Sequence, residues 1–337
     1  MGVFERIWEL RNIHSVSKHE QIVLGIIEAI DTKELGVGDK LPSINEMVEE
    51  IGFARKTIVK AYNDLKTRGL VESKNLKGYY IVSTKTNVTQ KVALIMFAFH
   101  SFQEDFYNTF RKELGRRFQI DVFFHHNNSS MFETILNNSI GKYGRYVVAP
   151  IPERSSATLL KKISPERLLI VDRFLRMPDE YSYITQEFEQ ATYDKLQELL
   201  PSLQKFEQFI LFYRDDADYP VGILKAFQKF TEDNGIKNAV YKAYNPKNLK
   251  KKTAFFFISD TYLWHVLRDA IQSKYKIGKD IGIVAHDDNI IKEISFGGIT
   301  TISTDFTKMA KKAAKSIKEK RKIQEIIPSK LIKRGSL

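Results

Sequence analysis

The chain has 337 residues, 43% apolar and 28% charged, with 53 Lys and Arg against 41 Asp and Glu, the composition of a folded globular protein long enough for two or three cores. Its net charge of +12 favours polyanionic partners without naming one. The lack of cysteine excludes disulfides, thiolate metal sites and a cysteine nucleophile, and no apolar run reaches the length of a membrane span, so no membrane partner is expected and the cytoplasm is the expected compartment.

The first segment, MGVFERIWELRNIH, interrupts its apolar residues with Glu5, Arg6, Glu9 and Arg11 and is no signal-peptide core. Residues 1 to about 82 then read as helix, helix, helix, hairpin. Ser17 and Glu20 have capping-box spacing, with Ile22, Ile26, Ile27 and Ile30 following on one face. Ser43 and Glu46 repeat the device directly after Pro42 and open a short helix ending near Gly52. A third helix runs from about Arg55 to Arg68, with Gly69 placed to end it; Ile58, Ala61, Tyr62 and Leu65 form its core face.

Lys56, Lys60, Asn63 and Thr67 point away from that core, and Arg55 lies at the first turn. Between residues 54 and 77 seven bases face two acids, whereas residues 1 to 86 as a whole carry 13 bases and 12 acids. Charge concentrated on one helix is what groove binding needs. After Gly69, LVES and YYIV pair as a hairpin tipped by Lys74, Asn75, Leu76, Lys77 and Gly78, a wing whose glycine permits close approach to phosphates. A solvated charged helix followed by an ordinary turn is the plain alternative for either feature alone.

The stretch GDKLPSINEMVEEIGFARKTIVKAYNDLKTRGLVESKNLKGYYIV resembles the head of the gluconate-repressor (GntR) family of winged-helix regulators. The resemblance covers about residues 18 to 83. It implies that Ser43 and Arg55 hold phosphates or bases, that Lys56, Thr57 and Lys60 meet the groove, and that Lys77 and Gly78 tip the wing. The pattern departs at Asn45, an implied DNA contact where the family often has arginine, at Ala54 where it often has serine, and at Val59 where arginine is common. Ala54 cannot cap its helix, which weakens that helix start by ~1 kcal/mol.

Residues 84 to 90, TKTNVTQ, lack periodicity and read as a linker. From Lys91 onward, apolar runs at 91–99, 119–124, 145–150, 167–172, 206–213, 237–244, 253–259 and 280–286 alternate with helical segments, the pattern of parallel sheets covered on both faces. About 245 residues of it make two doubly wound lobes. The fold class is therefore α/β, an N-terminal winged helix-turn-helix over 1–83, a linker over 84–90 and a two-lobed, doubly wound effector-binding and dimerisation domain over 91–337.

Open parallel sheets bind ligands beyond the carboxyl ends of their strands. The polar residues there are the candidates: residues 100–103 with Phe102, Asp172 and Arg173, residues 214–219 with Tyr219, Asp260, and residues 286–288 with Asp287. Carboxylates and guanidinium groups suit sugar hydroxyls, and aromatic faces suit sugar C–H surfaces. Asp260 could instead cap a helix, Asp172 and Arg173 could form a structural pair, and His286 could be a satisfied loop residue.

The same segments resemble the effector domain of the lactose-repressor (LacI) and periplasmic sugar-binding families: AP at 149–150, VDR at 171–173, ISD at 258–260, IVAHDD at 283–288, TTISTDF at 300–306 and IPSKLIKRGS at 327–336 follow the family order. On that resemblance Asp172, Asp260 and Asp287 hold hydroxyls. Tyr219 stands three residues before Gly222, after the fifth strand, where the family usually has arginine; Arg173 or Arg214 would substitute.

No phosphate loop, dinucleotide-binding glycine pattern or nucleophile elbow occurs, so no cofactor and no catalysis are expected. His125 and His126 alternate sides if they end a strand, and Asp215, Asp216 and Asp218 lack the downstream glutamate of a calcium loop, Phe227 standing in its place. The expected partners are double-stranded operator DNA with palindromic half-sites, a monosaccharide or sugar phosphate, and a second copy of the chain. The resulting expectation is a repressor of carbohydrate-utilisation genes modulated by a sugar; the alternative is a second domain that only dimerises or binds a non-sugar metabolite. Residues 305–337 carry 11 bases and 3 acids, yet Phe306, Met309, Ala310, Ala313, Ala314 and Ile317 leave an apolar stripe, so this helix is expected to pack on the sensor lobe with its lysines in solvent and a terminal strand completing that lobe's sheet.

Overall fold

The computed structural model describes residues 2–11, 16–74, 76–84, 86, 90–98, 101–115, 118–140, 143–215 and 217–337. The head holds four helices rather than three: α1 (Val3–Arg11), α2 (Lys18–Asp31), α3 (Ile44–Ile51) and α4 (Arg55–Thr67), followed by the hairpin β1 (Val71–Lys74) and β2 (Gly78–Ile81). Both capping boxes form, at Ser17 with Glu20 and at Ser43 with Glu46, whereas Ala54 makes no side-chain cap bond. The unexpected α1 has only Arg6 and Ile7 buried. It docks on α2 where a Cβ at Gly25 would come within 2.6 Å of Ile7, so glycine is required there. Arg6 Nε donates to Glu34 at 3.0 Å and, chiefly through that contact, holds the Glu34 carboxyl down near 2.

The rest is two six-stranded sheets. The first lobe runs β3 (Gln90–Met96), α5 (Ser101–Leu114), β4 (Phe118–Phe124), α6 (Ser129–Ser139), β5 (Arg145–Val148), α7 (Arg154–Leu160), β6 (Leu168–Arg173) and β7 (Ser182–Gln186). The second runs α8 (Glu189–Leu203), β8 (Gln208–Phe212), α9 (Val221–Asp233), β9 (Asn238–Tyr241), β10 (Thr253–Phe257), α10 (Asp260–Gln272), β11 (Ile281–His286), α11 (Ile290–Ile294) and β12 (Thr300–Thr304). The chain then returns with α12 (Phe306–Glu319), β13 (Gln324–Ile327) and β14 (Ser329–Ile332).

Strand orders are β13-β7-β6-β5-β3-β4 and β14-β12-β11-β10-β8-β9, parallel throughout except for β12 against β14. All eight apolar runs are strands. Two further parallel strands before α12, β7 and β12, lie outside those runs, because Ser182, Thr185 and Gln186 break the first and Thr300, Thr301, Ser303 and Thr304 the second, even though all of these are buried. The presence of β7 makes the FILFY strand the sixth of the domain rather than the fifth.

The α12 stripe is buried at Phe306, Met309, Ala310, Ala313, Ala314 and Ile317, packed with the first lobe's core. The terminal-strand expectation needs correction. After α12, β13 completes the first lobe's sheet beside β7, and the last strand, β14, crosses to complete the other lobe's sheet. The lobes are thus joined three times, after β7, after β12 and between β13 and β14. Among the described residues no helix is long and apolar enough to cross a membrane.

Candidate functional site

In the head, α4 is held by Tyr62, whose buried ring sends its hydroxyl to the Pro42 carbonyl at 2.6 Å, fixing the helix against the turn before α3. This leaves Arg55, Lys56 and Lys60 exposed, with Thr57 partly covered. Arg55 Nη1 donates to Asn45 Oδ1, so two of the expected contacts from different helices meet. The Thr67 side chain lies outside the described residues.

Not all seven bases of this stretch remain available. Arg68 is paired with Asp64 at 2.8 Å, Lys74 with Glu72 at 3.2 Å, and Lys66 donates to Ser73. Arg55, Lys56, Lys60 and Lys77 have no carboxylate partner among the described residues. The wing is braced by residues 38–41, with Gly38 N–H on Ile81 and Leu41 N–H on Tyr79. Gly78 has φ +105°, and a Cβ there would sit 3.1 Å from the Lys40 stem, so its glycine serves packing as well as exposure. Asn75 lies outside the described residues. Ser43 is the N-cap of α3, its Oγ accepting from Glu46 N–H at 3.1 Å.

A cleft between the lobes gathers Phe102, Asp172, Arg173, Tyr219, Asp260 and Asp287, all six ligand candidates, into one cavity of about 410 Å³. It lies beyond the carboxyl ends of β6, β8, β10 and β11. Gln186, Phe188, Asn289 and Lys292, which are not among the residues expected from the sequence, also line it. Gln186 ends the polar strand β7 and Phe188 follows it, and Lys292 gives no signal in the sequence, since a lysine in a helix is normally solvated.

Asp172 has φ +65° and is buried; its Oδ1 accepts from Gln186 Nε2 at 2.5 Å. Burial pushes its carboxyl up, against Arg173 and Gln186. Arg173 lies between the rings of Phe97 and Phe188, at 4.8 and 5.0 Å, and donates to the Asp218 carbonyl at 2.7 Å. Its Nε stands 4.0 Å from Asp172, a loose pairing, and has no hydrogen-bond partner. Of the two arginines, Arg173 lines the cleft and Arg214 is not among its lining residues.

Asp260 is not the cap of α10; Ser259 is, its Oγ accepting from Thr261 N–H. Asp260 instead meets Lys292 at 2.6 Å and Asn289 at 3.1 Å. Asp287, at φ +56°, lies 3.2 Å from His286 Nδ1, and its Oδ1 is buried without a hydrogen bond. Burial would raise this carboxyl, yet His286, Lys292 and Arg173 together hold it below the usual range. Its neighbour Asp288 turns away into a bidentate pair with Arg334, at 2.7 and 2.8 Å. Burial raises the Tyr219 phenol. Gly222 is packed tightly, since a Cβ there would meet the Glu189 nitrogen at 3.0 Å and Phe188 Cβ at 3.1 Å, and α9 and α8 would have to part by a few tenths of an ångström to admit one.

His125 is buried, with Nε2 3.0 Å from the Ala149 carbonyl and its ring against Phe97 and Phe132. Among the described residues no group of three or more His, Asp or Glu could hold a metal; Asp216 lies outside them.

Residues 18–81 match the family of bacterial regulatory proteins, gntR family, and residues 203–337 match the periplasmic binding protein-like domain. A transcription regulator-like protein from Staphylococcus haemolyticus superposes with a TM-score of 0.60 at 14% identity, over 74% of this chain and 98% of that one. A LacI family transcriptional regulator from Lactobacillus casei does so at 0.63 and 16% with bound glucose, and at 0.63 and 17% with bound sucrose, each over 74% of this chain and all of that one. At such identities the likeness speaks to fold. No curated protein matches the sequence. The chain is a transcription regulator that joins a gntR-type DNA-binding head to a periplasmic-binding-protein-like domain.

Proposed function

We propose that the protein is a cytoplasmic repressor of carbohydrate-utilisation genes. It binds a palindromic operator as a homodimer and is released by a small sugar-class effector. Arg55, Asn45, Lys56, Thr57, Lys60 and the wing residues Lys77 and Gly78 meet the DNA, with Ser43 beside a phosphate. Asp172, Arg173, Asp260 and Asp287 take the effector's hydroxyls while Phe102 and Tyr219 take its C–H faces. The protein acts by binding rather than by turnover.

The observation that carries this reading is the convergence of six candidates from both lobes on one interlobe cleft. The sugar-bound Lactobacillus casei regulator of the same fold supports the ligand class. Closure of the lobes on the effector would change the spacing of the heads; a coupling of ~1–3 kcal/mol would shift DNA affinity roughly 5- to 150-fold. A thermal-shift screen of monosaccharides tests it: a stabilising sugar is expected, with the stabilisation lost in Asp172→Ala. No stabilisation by any sugar would leave the domain as a dimerisation module or a sensor of something else.

A further inference from the structure

The charge of the cleft narrows the effector further. Its lining holds four carboxylates, on Asp172, Asp218, Asp260 and Asp287, against two permanent cations, on Arg173 and Lys292. Lys292 is already spent. Its ammonium has three hydrogens, and three acceptors hold it: the carbonyls of His286 at 2.8 Å and Asp287 at 2.6 Å, and Asp260 Oδ1 at 2.6 Å. It is also buried, so it neutralises Asp260 and has no donor left for a ligand.

Arg173 is therefore the one permanent cation of the cleft left for Asp172, Asp218 and Asp287, with the His286 imidazole 3.2 Å from Asp287 as a titratable neighbour. The Arg173 guanidinium is clamped between Phe97 and Phe188, and its Nη2 is committed to a backbone carbonyl. The Asp218 carboxylate makes no hydrogen bond or ion pair among the described residues, and the buried Asp287 Oδ1 has no hydrogen bond and only the His286 imidazole, at 3.2 Å, as an ionic neighbour. Burial pushes Asp172 up, with Asp287 and Asp218 adding in the same sense against Arg173 and Gln186. Closing the cleft lowers the local dielectric and makes an uncompensated carboxylate costlier. A ligand that brings a positive charge removes that cost, whereas a phosphate ester, with a charge of about −1.5 to −2, adds to it.

Resting on the reading of the cleft as an effector site, we propose that the effector is a cationic polyol of the amino-sugar class, its ammonium among Asp172, Asp218 and Asp287, and that sugar phosphates are excluded. The hydroxyls keep Arg173 Nε and Asp260, and the rings of Phe102, Phe188 and Tyr219 supply the apolar walls.

Calorimetry on the full chain tests this with glucose, galactose and mannose, each as the free sugar, the 2-amino sugar, its N-acetylated form and the 6-phosphate. One amino sugar is expected to bind at least tenfold more tightly than its free and N-acetylated counterparts, with no binding of its phosphate. Asp287→Asn, which replaces the carboxylate by a neutral amide of the same shape, is expected to cut that preference below threefold, and a preference left at tenfold or more in this variant overturns the charge assignment. A free or N-acetylated sugar binding within threefold of its amine, or a phosphate binding as tightly, overturns the charge assignment and leaves the sugar-sensor reading intact. Binding by no member of the panel contradicts that reading itself and the charge assignment with it.

Discussion

Gln186 and Thr304 lie 118 residues apart and share a buried hydrogen bond, Thr304 Oγ1 donating to Gln186 Oε1 at 2.7 Å. Each ends the strand that carries the chain from one lobe to the other, β7 for Gln186 and β12 for Thr304. Thr304 Oγ1 also lies 3.3 Å from Ser329 Oγ, at the third crossing. The amide of Gln186 reaches Asp172 in the cleft, so one chain of hydrogen bonds runs from a candidate ligand carboxylate through all three interlobe connections.

Thr304→Val keeps the shape and removes the donor, leaving Gln186 Oε1 buried without that partner. A stability loss of ~1–3 kcal/mol is expected in urea unfolding, with a weaker effect of ligand on DNA binding; Thr304→Ser should restore both. Unchanged stability and coupling in Thr304→Val would show that the crossings are not tied through this pair.

On the head, Arg55→Ala and Lys60→Ala are each expected to weaken operator binding without altering the fold. Loss of a phosphate contact should lower the salt slope by about one unit; loss of a base contact should cost ~1–3 kcal/mol and relax one operator position. Asn45→Ala should follow Arg55→Ala in direction, since Asn45 holds the Arg55 guanidinium. Titration of each variant at several salt concentrations separates the cases, and wild-type affinity in both Arg55→Ala and Lys60→Ala would remove α4 from the groove.

The lysines of α12 and of the segment just after it make the opposite case. Lys311, Lys315 and Lys322 are exposed, with Lys315 3.9 Å from Glu319, while the apolar stripe of the same helix is buried. Replacing the three with glutamine should leave operator affinity within about twofold once the general charge effect is allowed for. A loss as large as that of Lys60→Ala would place the tail on DNA.

His125 gives a pH prediction. Burial pushes this imidazole down to about 4 from its usual 6.5, so the folded state keeps it neutral where the unfolded chain protonates it. Stability from this group is therefore full above about pH 6.5 and falls as the pH drops toward 4, by ~3 kcal/mol in all. Urea unfolding at pH 7 and pH 4.5 checks it: His125→Gln should flatten the acid loss, and an equal acid loss in that variant would contradict it.

Much of this architecture was legible because local signals agreed with the global fold. The capping boxes at Ser17 and Ser43 and the stripe from Phe306 to Ile317 have the same residues in the same roles in sequence and structure. TTISTDF and the C-terminal segment stand out for a physical reason. Thr300 Oγ1 donates to the Arg334 carbonyl, Arg334 clamps Asp288, and Asp305 caps α12. What stayed hidden depends on tertiary context. The strand β7 is polar by composition yet buried, α1 buries one apolar residue and one arginine, and Lys292 is a buried cation whose three acceptors come from the loop before it and from Asp260. The cleft's loops could be placed from strand ends alone, whereas which aspartate of the Asp287 and Asp288 pair lines the cleft depends on Arg334, 46 residues away from Asp288.

Cleft occupancy is proposed to control the DNA affinity of the head. An operator duplex selected from a random pool, titrated with the full chain with and without a saturating cleft ligand, tests it most directly. A 5- to 150-fold change in DNA affinity is expected, lost in Asp287→Ala. Identical affinity at saturating ligand would contradict it.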